Sequence, residues 1–250
     1  MTEPILFEVC CGSTEDALAA YKGGASRVEL NSDMFHGGLT PTLGSLLTVK
    51  KHAPDMKVMC MVRPREGGFC YTDVEFETML ADARIFLDHG ADGIVFGFLH
   101  EDATVDTDRV KAMLDVIGNH ESVFHRAIDV VPDVMTALDQ LIDLGVTRVL
   151  TSGQKPTVPE GIFTIKNMID HAAGRIQILP GCGITPENAQ WVRQMTGTTM
   201  MHAALTRTVY DRSAMGNPSI YFGGCVYPPE DRYNMTMAED VANFVACANR

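Results

Sequence analysis

The residues able to do chemistry stand in or at the ends of short apolar runs. Glu8 lies among Phe7, Val9 and Cys10, and Glu29 lies between Val28 and Leu30 with Asn31 next. Arg63-Pro64-Arg65 closes an apolar run, and a later stretch reads Phe124-His125-Arg126-Ala127-Ile128-Asp129. Further runs end in Thr151-Ser152-Gly153-Gln154, in Gly181-Cys182-Gly183 and in His202. An isolated ion inside an apolar strand costs several kcal/mol or more, so these groups should meet partners or each other. Strand alternation places Leu6, Glu8 and Cys10 on one face, and likewise Met61, Arg63 and Arg65, or Val123, His125, Ala127 and Asp129.

That convergence suggests acid/base work. Glu8, Glu29 and His125 are the expected proton-transfer groups, and Asp129 would orient His125 or Arg126. Arg63 and Arg65 flank a proline that fixes φ, a suitable base for forked donors to a carboxylate or phosphate. Arg126 is an expected substrate contact as well, although strand alternation puts it on the face opposite His125 and leaves open whether it meets the cavity or the helices. Ser152, Gly181, Gly183 and His202 complete the expected substrate contacts. Gly181-Cys182-Gly183, followed by Thr185-Pro186, would offer backbone amides to a phosphate, although the partner loop His202-Ala203-Ala204-Leu205 has no glycine. The plainer alternative is a structural ion network tying the strands together, with His125 a core histidine and one arginine bridging Glu66. Ser152 has no activating histidine nearby and no G-x-S-x-G elbow, which argues against a nucleophilic hydrolase. Proton transfer beside a carbonyl, of isomerase, epimerase or lyase type on a small anionic metabolite, fits the residue set.

Soft ligands give a competing reading. Cys10, Cys11, Cys60, Cys70 and Cys182 lie near strands or strand ends, and thiolates favour Cu(I). A non-catalytic copper-binding or trafficking role would rest on Cys10 and Cys11. Met59, Cys60 and Met61 alternate faces and cannot all hold one ion, and sulfur residues also fill cores. Glu8, Glu29 and His125 would instead suit a hard divalent metal. No cofactor is otherwise indicated, since no G-x-G-x-x-G turn follows the first strand.

The elements that position these groups alternate. Strand-like runs at 7–10, 27–30, 58–62, 94–98, 123–127, 147–151, 176–179 and 199–202 each precede a helix-like stretch. These stretches fall at 14–22, 43–52, 74–89, 109–117, 134–144, 159–171, 186–195 and 237–248. Glycines 24, 90, 145 and 197 each precede an even-numbered strand, at spacings of 66, 55 and 52 residues. Four such pairs of units fit a closed eightfold (β/α)8 barrel of TIM type, an α/β fold in one domain over 1–250, better than an open sheet. In such a barrel the carboxyl ends of the strands carry the site. Residues 211–233 show no helical period; their aromatics suggest a lid or an oligomer contact rather than disorder.

Composition narrows the partners. The chain has 250 residues and 20 Lys+Arg against 32 Asp+Glu, a net charge of −12, which argues against sequence-independent nucleic-acid binding. No apolar run approaches the roughly 18 to 20 residues that cross a bilayer. The start, Met1-Thr2-Glu3-Pro4, lacks the pattern of a secretory signal. Seven cysteines at 10, 11, 60, 70, 182, 225 and 247, with no C-x-x-C, fit free thiols in a reduced, cytoplasmic setting.

Several motifs together resemble the CutC family. They are Glu8-Val9-Cys10-Cys11, Arg27-Val28-Glu29-Leu30, Gly37-Gly38-Leu39-Thr40-Pro41, Arg63-Pro64-Arg65 with Phe69-Cys70-Tyr71, Phe124-His125-Arg126-Ala127 with Asp129, and Leu150-Thr151-Ser152-Gly153-Gln154. The match runs over about residues 5 to 205. It implies a TIM-type barrel, a cytoplasmic location and a homo-oligomer, dimer or tetramer. The family is named for copper homeostasis, a disputed link, and the resemblance names no substrate.

Overall fold

A computed structural model describes residues 4–223 and 227–249. Met1 to Glu3, used above in reading the start of the chain, and Gly224 and Cys225 lie outside the described residues.

Strands and helices alternate as β1 (Leu6–Cys11), α1 (Thr14–Lys22), β2 (Arg27–Leu30), α2 (Leu43–His52), β3 (Lys57–Met61), α3 (Asp73–Asp88), β4 (Gly93–Phe96) and α4 (Thr107–Ile117). They continue as β5 (Glu121–Phe124), α5 (Val134–Asp143), β6 (Arg148–Thr151), α6 (Val158–Ala172), β7 (Gln177–Pro180), α7 (Ala189–Thr196) and β8 (Met200–Ala203). Two further strands, β9 (Thr206–Tyr210) and β10 (Arg232–Thr236), precede the closing helix α8 (Ala238–Ala248). β1 to β8 pair in parallel with their neighbours in sequence, and β1 also pairs with β8. β7 and β8 meet at one parallel bridge, Gly181 to His202, which joins the sheet edges into a barrel.

Local chemistry explains the boundaries. Ser13 and Thr72 cap α1 and α3 by accepting from Asp16 N and Glu75 N, and Glu75 reaches back in a full capping box. The four repeated glycines, 24, 90, 145 and 197, all have φ between +73° and +93°. A Cβ at any of them would meet nothing within 4 Å, so backbone conformation and not crowding selects glycine there.

Alternation divides the apolar residues. Phe7, Val9, Cys11, Val28, Leu30 and Phe124 point outward into the core between strands and helices. Met59, Met61, Val95, Val123, Leu150, Leu179 and Met200 fill the barrel interior. Beside them is a buried ion network. Arg27 is hydrogen-bonded to Glu8 and lies 3.7 Å from Glu121; Arg148 donates to Glu121 at 2.6 Å and to Gln177 at 2.9 Å. The structural-network reading therefore holds for one oxygen of Glu8.

Two sequence expectations are corrected. Residues 125–129 do not extend the fifth strand: β5 ends at Phe124 and Arg126–Val130 turns as a 3-10 helix. Strand alternation stops with the strand. At residues 211–233 the correction is confined to the end of the segment: Arg232 and Tyr233 begin β10, which pairs antiparallel with β9 ahead of the segment, Tyr210 opposite Arg232 and Thr206 opposite Thr236. Most side chains of this β9–β10 ribbon are exposed, so it lacks the apolar alternation that marks a half-buried strand. No described helix is long and apolar enough to cross a membrane.

Candidate functional site

A cavity of about 360 Å³ opens beyond the carboxyl ends of the strands. Cys10, Glu29, Arg63, His125, Arg126, Cys182 and His202 line it, with Met34, Met61, Phe69 and Leu150 among the apolar walls.

Glu29 and His202 stand at the β1–β2–β8 side. The Glu8 carboxylate accepts from Arg27 on one oxygen and faces His202 Nδ1 at 2.8 Å with the other. Burial opposes ionising Glu8, but Arg27 and His202 outweigh it and bring its pKa down to about 2. Burial also opposes charge on His202, yet Glu29 and Glu8 together raise its pKa above the ordinary value. His202 Nε2 lies 4.0 Å from Glu29 Oε2. That oxygen accepts from Asn31 Nδ2 at 2.9 Å and from the Cys10 thiol at 3.4 Å, whereas Glu29 Oε1 is buried without a partner. Burial, then Glu29, pushes the Cys10 thiol well up, so it stays protonated.

Arg63 and His125 stand opposite. Arg63 Nη1 donates to the carbonyls of His36 at 2.8 Å and Gly38 at 3.1 Å, and Nη2 donates to Gly67 at 3.0 Å. Both glycine-rich loops are thereby tied to one guanidinium, which also lies against the buried Tyr71 side chain. His125 Nδ1 accepts from Ala127 N at 3.1 Å, which places the proton of the neutral ring on Nε2. Burial, and then Arg63, lowers the His125 pKa to about 3. Its Nε2–H is a neutral donor, buried and unpartnered. The ring sits 4.9 Å from that of Phe69, and a Cβ on Gly97 would come within 2.4 Å of it.

The structure therefore gathers Cys10, Glu29, Arg63, His125, Arg126 and His202 around one cavity and places the other expected residues elsewhere. Glu8 sits behind His202 and does not line the cavity. Arg126, an expected substrate contact whose orientation alternation left open, lines the cavity, because the 3-10 turn replaces the strand at this point. Asp129 binds Arg126 Nε at 2.9 Å and accepts from Thr151, Ser152 and Gln154, so it fixes Arg126 and the β6 loop and makes no hydrogen bond to His125. Ser152 is buried among Asp129, Arg126 and the Lys155 carbonyl, off the cavity lining. Arg65 is turned outward: it pairs with Glu75 at 2.6 Å, not Glu66, and stacks 5.0 Å from the Tyr71 ring. Gly181 N donates to Thr151 O at 2.9 Å within the barrel ladder, so that amide is not available to a phosphate. Gly183, at φ +74°, packs on Thr157, where a Cβ would come within 2.8 Å.

The metal sets are also redrawn. Cys11 faces the outer core, opposite to Cys10, so the two thiols cannot share an ion. Glu8, Glu29 and His125 do not gather. Cys10, Glu29 and His202 do, with ligand atoms within 4.8 Å of one another. Sequence reasoning missed this trio, as well as Phe69 and Met34 as walls. The one signal for the walls was the glycine content of their loops.

Comparison with known proteins agrees with this architecture. The profile of the CutC family matches residues 5–207. The chain belongs to the CutC family. A CutC family protein of Treponema denticola is 52% identical over 241 residues, covering 96% of this chain and 98% of its own length. The human copper homeostasis protein cutC homolog is 40% identical over 97% of this chain and 89% of its own length. The crystal structure of the putative copper homeostasis protein CutC from Streptococcus agalactiae superposes with a TM-score of 0.76 at 35% identity, over 80% of this chain and 98% of that one.

The copper-homeostasis naming of these relatives raises the question of fit. One thiol, one carboxylate and one imidazole form a borderline donor set, closer to what Zn²⁺ takes than to the all-sulfur surroundings that favour Cu(I). Glu8 behind His202 is the outer-shell carboxylate that orients a ligating imidazole. An ion there would be held by Cys10, Glu29 and His202 and would act as a Lewis acid facing the cavity.

Proposed function

We propose that this CutC-family barrel binds a small anionic metabolite and moves a proton on the carbon beside its carbonyl, as an isomerase, epimerase or lyase does. One observation carries this reading: Glu29 Oε1 and His125 Nε2 are buried polar atoms without partners, and both residues line the same cavity as Arg63. Such atoms each cost about 1–3 kcal/mol, and folded chains rarely keep two in one cavity without a purpose. Among the described residues the lining also carries Arg63, Arg126 and His202, whose pKa is raised, against one carboxylate, Glu29, which suits an anion.

Each group has a role consistent with its surroundings. Glu29 Oε1 takes the proton from carbon, and the C–H electron pair moves toward the carbonyl oxygen as an enolate. His125 Nε2–H donates to that oxygen, with the positive charge of Arg63 nearby. A neutral imidazole serves here because its proton stays in place as negative charge develops. Returning the proton to the other face or the neighbouring carbon completes an epimerisation or isomerisation. His202 and Asn31 hold the other oxygen of Glu29, and Arg126 meets the remote anionic group.

The test is hydrogen exchange from solvent. Small 2-hydroxy acids, 2-oxo acids and phosphorylated ketoses are incubated with the protein in D₂O and followed by proton NMR. Deuterium should enter the C–H beside the carbonyl of at least one compound, and Glu29→Gln should slow this by about 10²–10⁴-fold. No exchange in any compound, or exchange untouched by Glu29→Gln, overturns the reading.

The Cys10–Glu29–His202 cluster supports a second reading, metal binding without catalysis. It predicts stoichiometric Zn²⁺ or Cu(I) uptake that is lost in Cys10→Ser and His202→Asn but kept in Arg63→Met. Uptake that survives the first two substitutions rejects it.

A further inference from the structure

We propose that Phe69 sets the size of the metabolite, admitting a short-chain acid and stopping a longer one; this rests on the anion-binding reading above. The cavity is small, its 360 Å³ lying near the lower end of the roughly 300–1,000 Å³ that ligand sites span. Beside it, among the loops that follow β3, β4 and β5, is a second cavity of about 380 Å³. Arg65, Cys70, Leu99, His100 and Val130 help to line that one. Phe69 lines both. Its half-buried ring packs 4.9 Å from the His125 ring, and the Arg63 guanidinium carbon lies 5.6 Å from its centroid. A chain that extends from a carbonyl held at His125 therefore meets this ring before it reaches the second space.

A wall selects by size only if it holds still, and a loop with two adjacent glycines, Gly67 and Gly68, would not do so unaided. Here every carbonyl over residues 67–70 accepts a hydrogen bond. Gly67 accepts from Arg63 Nη2 at 3.0 Å, Gly68 from Arg65 Nη1 at 3.2 Å, Phe69 from Leu99 N at 3.0 Å and Cys70 from Arg65 Nη2 at 2.9 Å. Arg65 is fastened in turn by Glu75 and by the Tyr71 ring. Its outward turn thus has a use: Arg65 is a positioning residue that acts on the metabolite through Phe69. Forcing extra methylenes against a fixed wall is worth about 10-fold or more in discrimination.

Matched short and long members of one compound class test this, titrated into the full chain while the His125 ring resonances are recorded. The pairs are lactate with 2-hydroxyoctanoate, pyruvate with 2-oxooctanoate, and dihydroxyacetone phosphate with a heptulose phosphate. The readout is the ratio of the two dissociation constants, because mere loosening of His125 weakens both members and leaves the ratio unchanged. In the wild type the short member of at least one pair should bind at least about 10-fold more tightly, and Phe69→Ala should cut that ratio at least about 10-fold. Should Phe69→Ala not fold, as judged by circular dichroism, Phe69→Leu decides by the same fall in ratio. Arg65→Met, which frees the loop, should lower the ratio in part; an unchanged ratio there overturns the role of Arg65. A wild type that binds both members of a pair alike, or a ratio untouched in the folded Phe69 variants, overturns the proposal and leaves the acid/base reading standing. A panel in which no compound moves the His125 ring overturns both.

Discussion

His125 and His202 line the same cavity with their pKa values displaced in opposite directions. Burial and Arg63 keep His125 neutral, with a pKa of about 3, while two carboxylates hold His202 above the ordinary 6.5. Histidine ring NMR should show His202 still protonated above pH 6.5 and His125 carrying only its Nε2 proton down to about pH 3. Glu8→Gln should lower the His202 value; no change would show that Glu8 does not set its charge. At this scale Glu29, Arg63, His125 and His202 were legible, because an ion or imidazole closing an apolar strand must find company. Arg65 was misplaced because residues past the end of β3 no longer alternate, and its partner Glu75 lies in a helix whose approach no local pattern reveals. The Arg27–Glu8 pair shows what the repeat already contained. Arg27 and Arg148 occupy equivalent places before Val28 and Val149, a sign that both serve the barrel interior.

Elements whose one face is buried were read closely. The spacing placed helices at 14–22 and 43–52, and these are the observed bounds of α1 and α2. The end of β5 was not legible: 124–129 continues the apolar texture of a strand, but the chain turns where His125 accepts from Ala127 N. Gly97 across the barrel wall makes room for that turn, since a Cβ there would come within 2.4 Å of His125 and 2.9 Å of Ala127 Cβ. Gly97→Ala should cost about 1–3 kcal/mol in urea unfolding and move the His125 ring resonances. Unchanged resonances would mean that the ring has space the structure denies it. Asp129→Asn removes the charge that holds Arg126 and the β6 loop. It should cost about 1.5–3 kcal/mol and weaken anion binding, with calorimetry on the same two proteins as the check.

For the whole molecule, the buried ions set the pH range of stability. Glu8 has a folded pKa of about 2 against an ordinary 4.5, so its contribution is complete above pH 4.5 and disappears as pH falls toward 2. His202 has a raised pKa, so its contribution is complete below pH 6.5 and fades as pH rises through the folded value. From this pair, urea unfolding should show greatest stability between about pH 4.5 and 6.5. Glu8→Gln strands Arg27 in the interior and should cost about 3–5 kcal/mol. A loss under about 1 kcal/mol would mean the network is not buried as described. The central claim, that Glu29, Arg63 and His125 await one small anion, is tested most directly by titrating the protein with 2-hydroxy acids, 2-oxo acids and phosphorylated ketoses while recording the histidine ring resonances. At least one compound should shift both His125 and His202, and Arg63→Met should abolish the shift. A panel that moves neither ring, or a shift that persists in Arg63→Met, would contradict the claim.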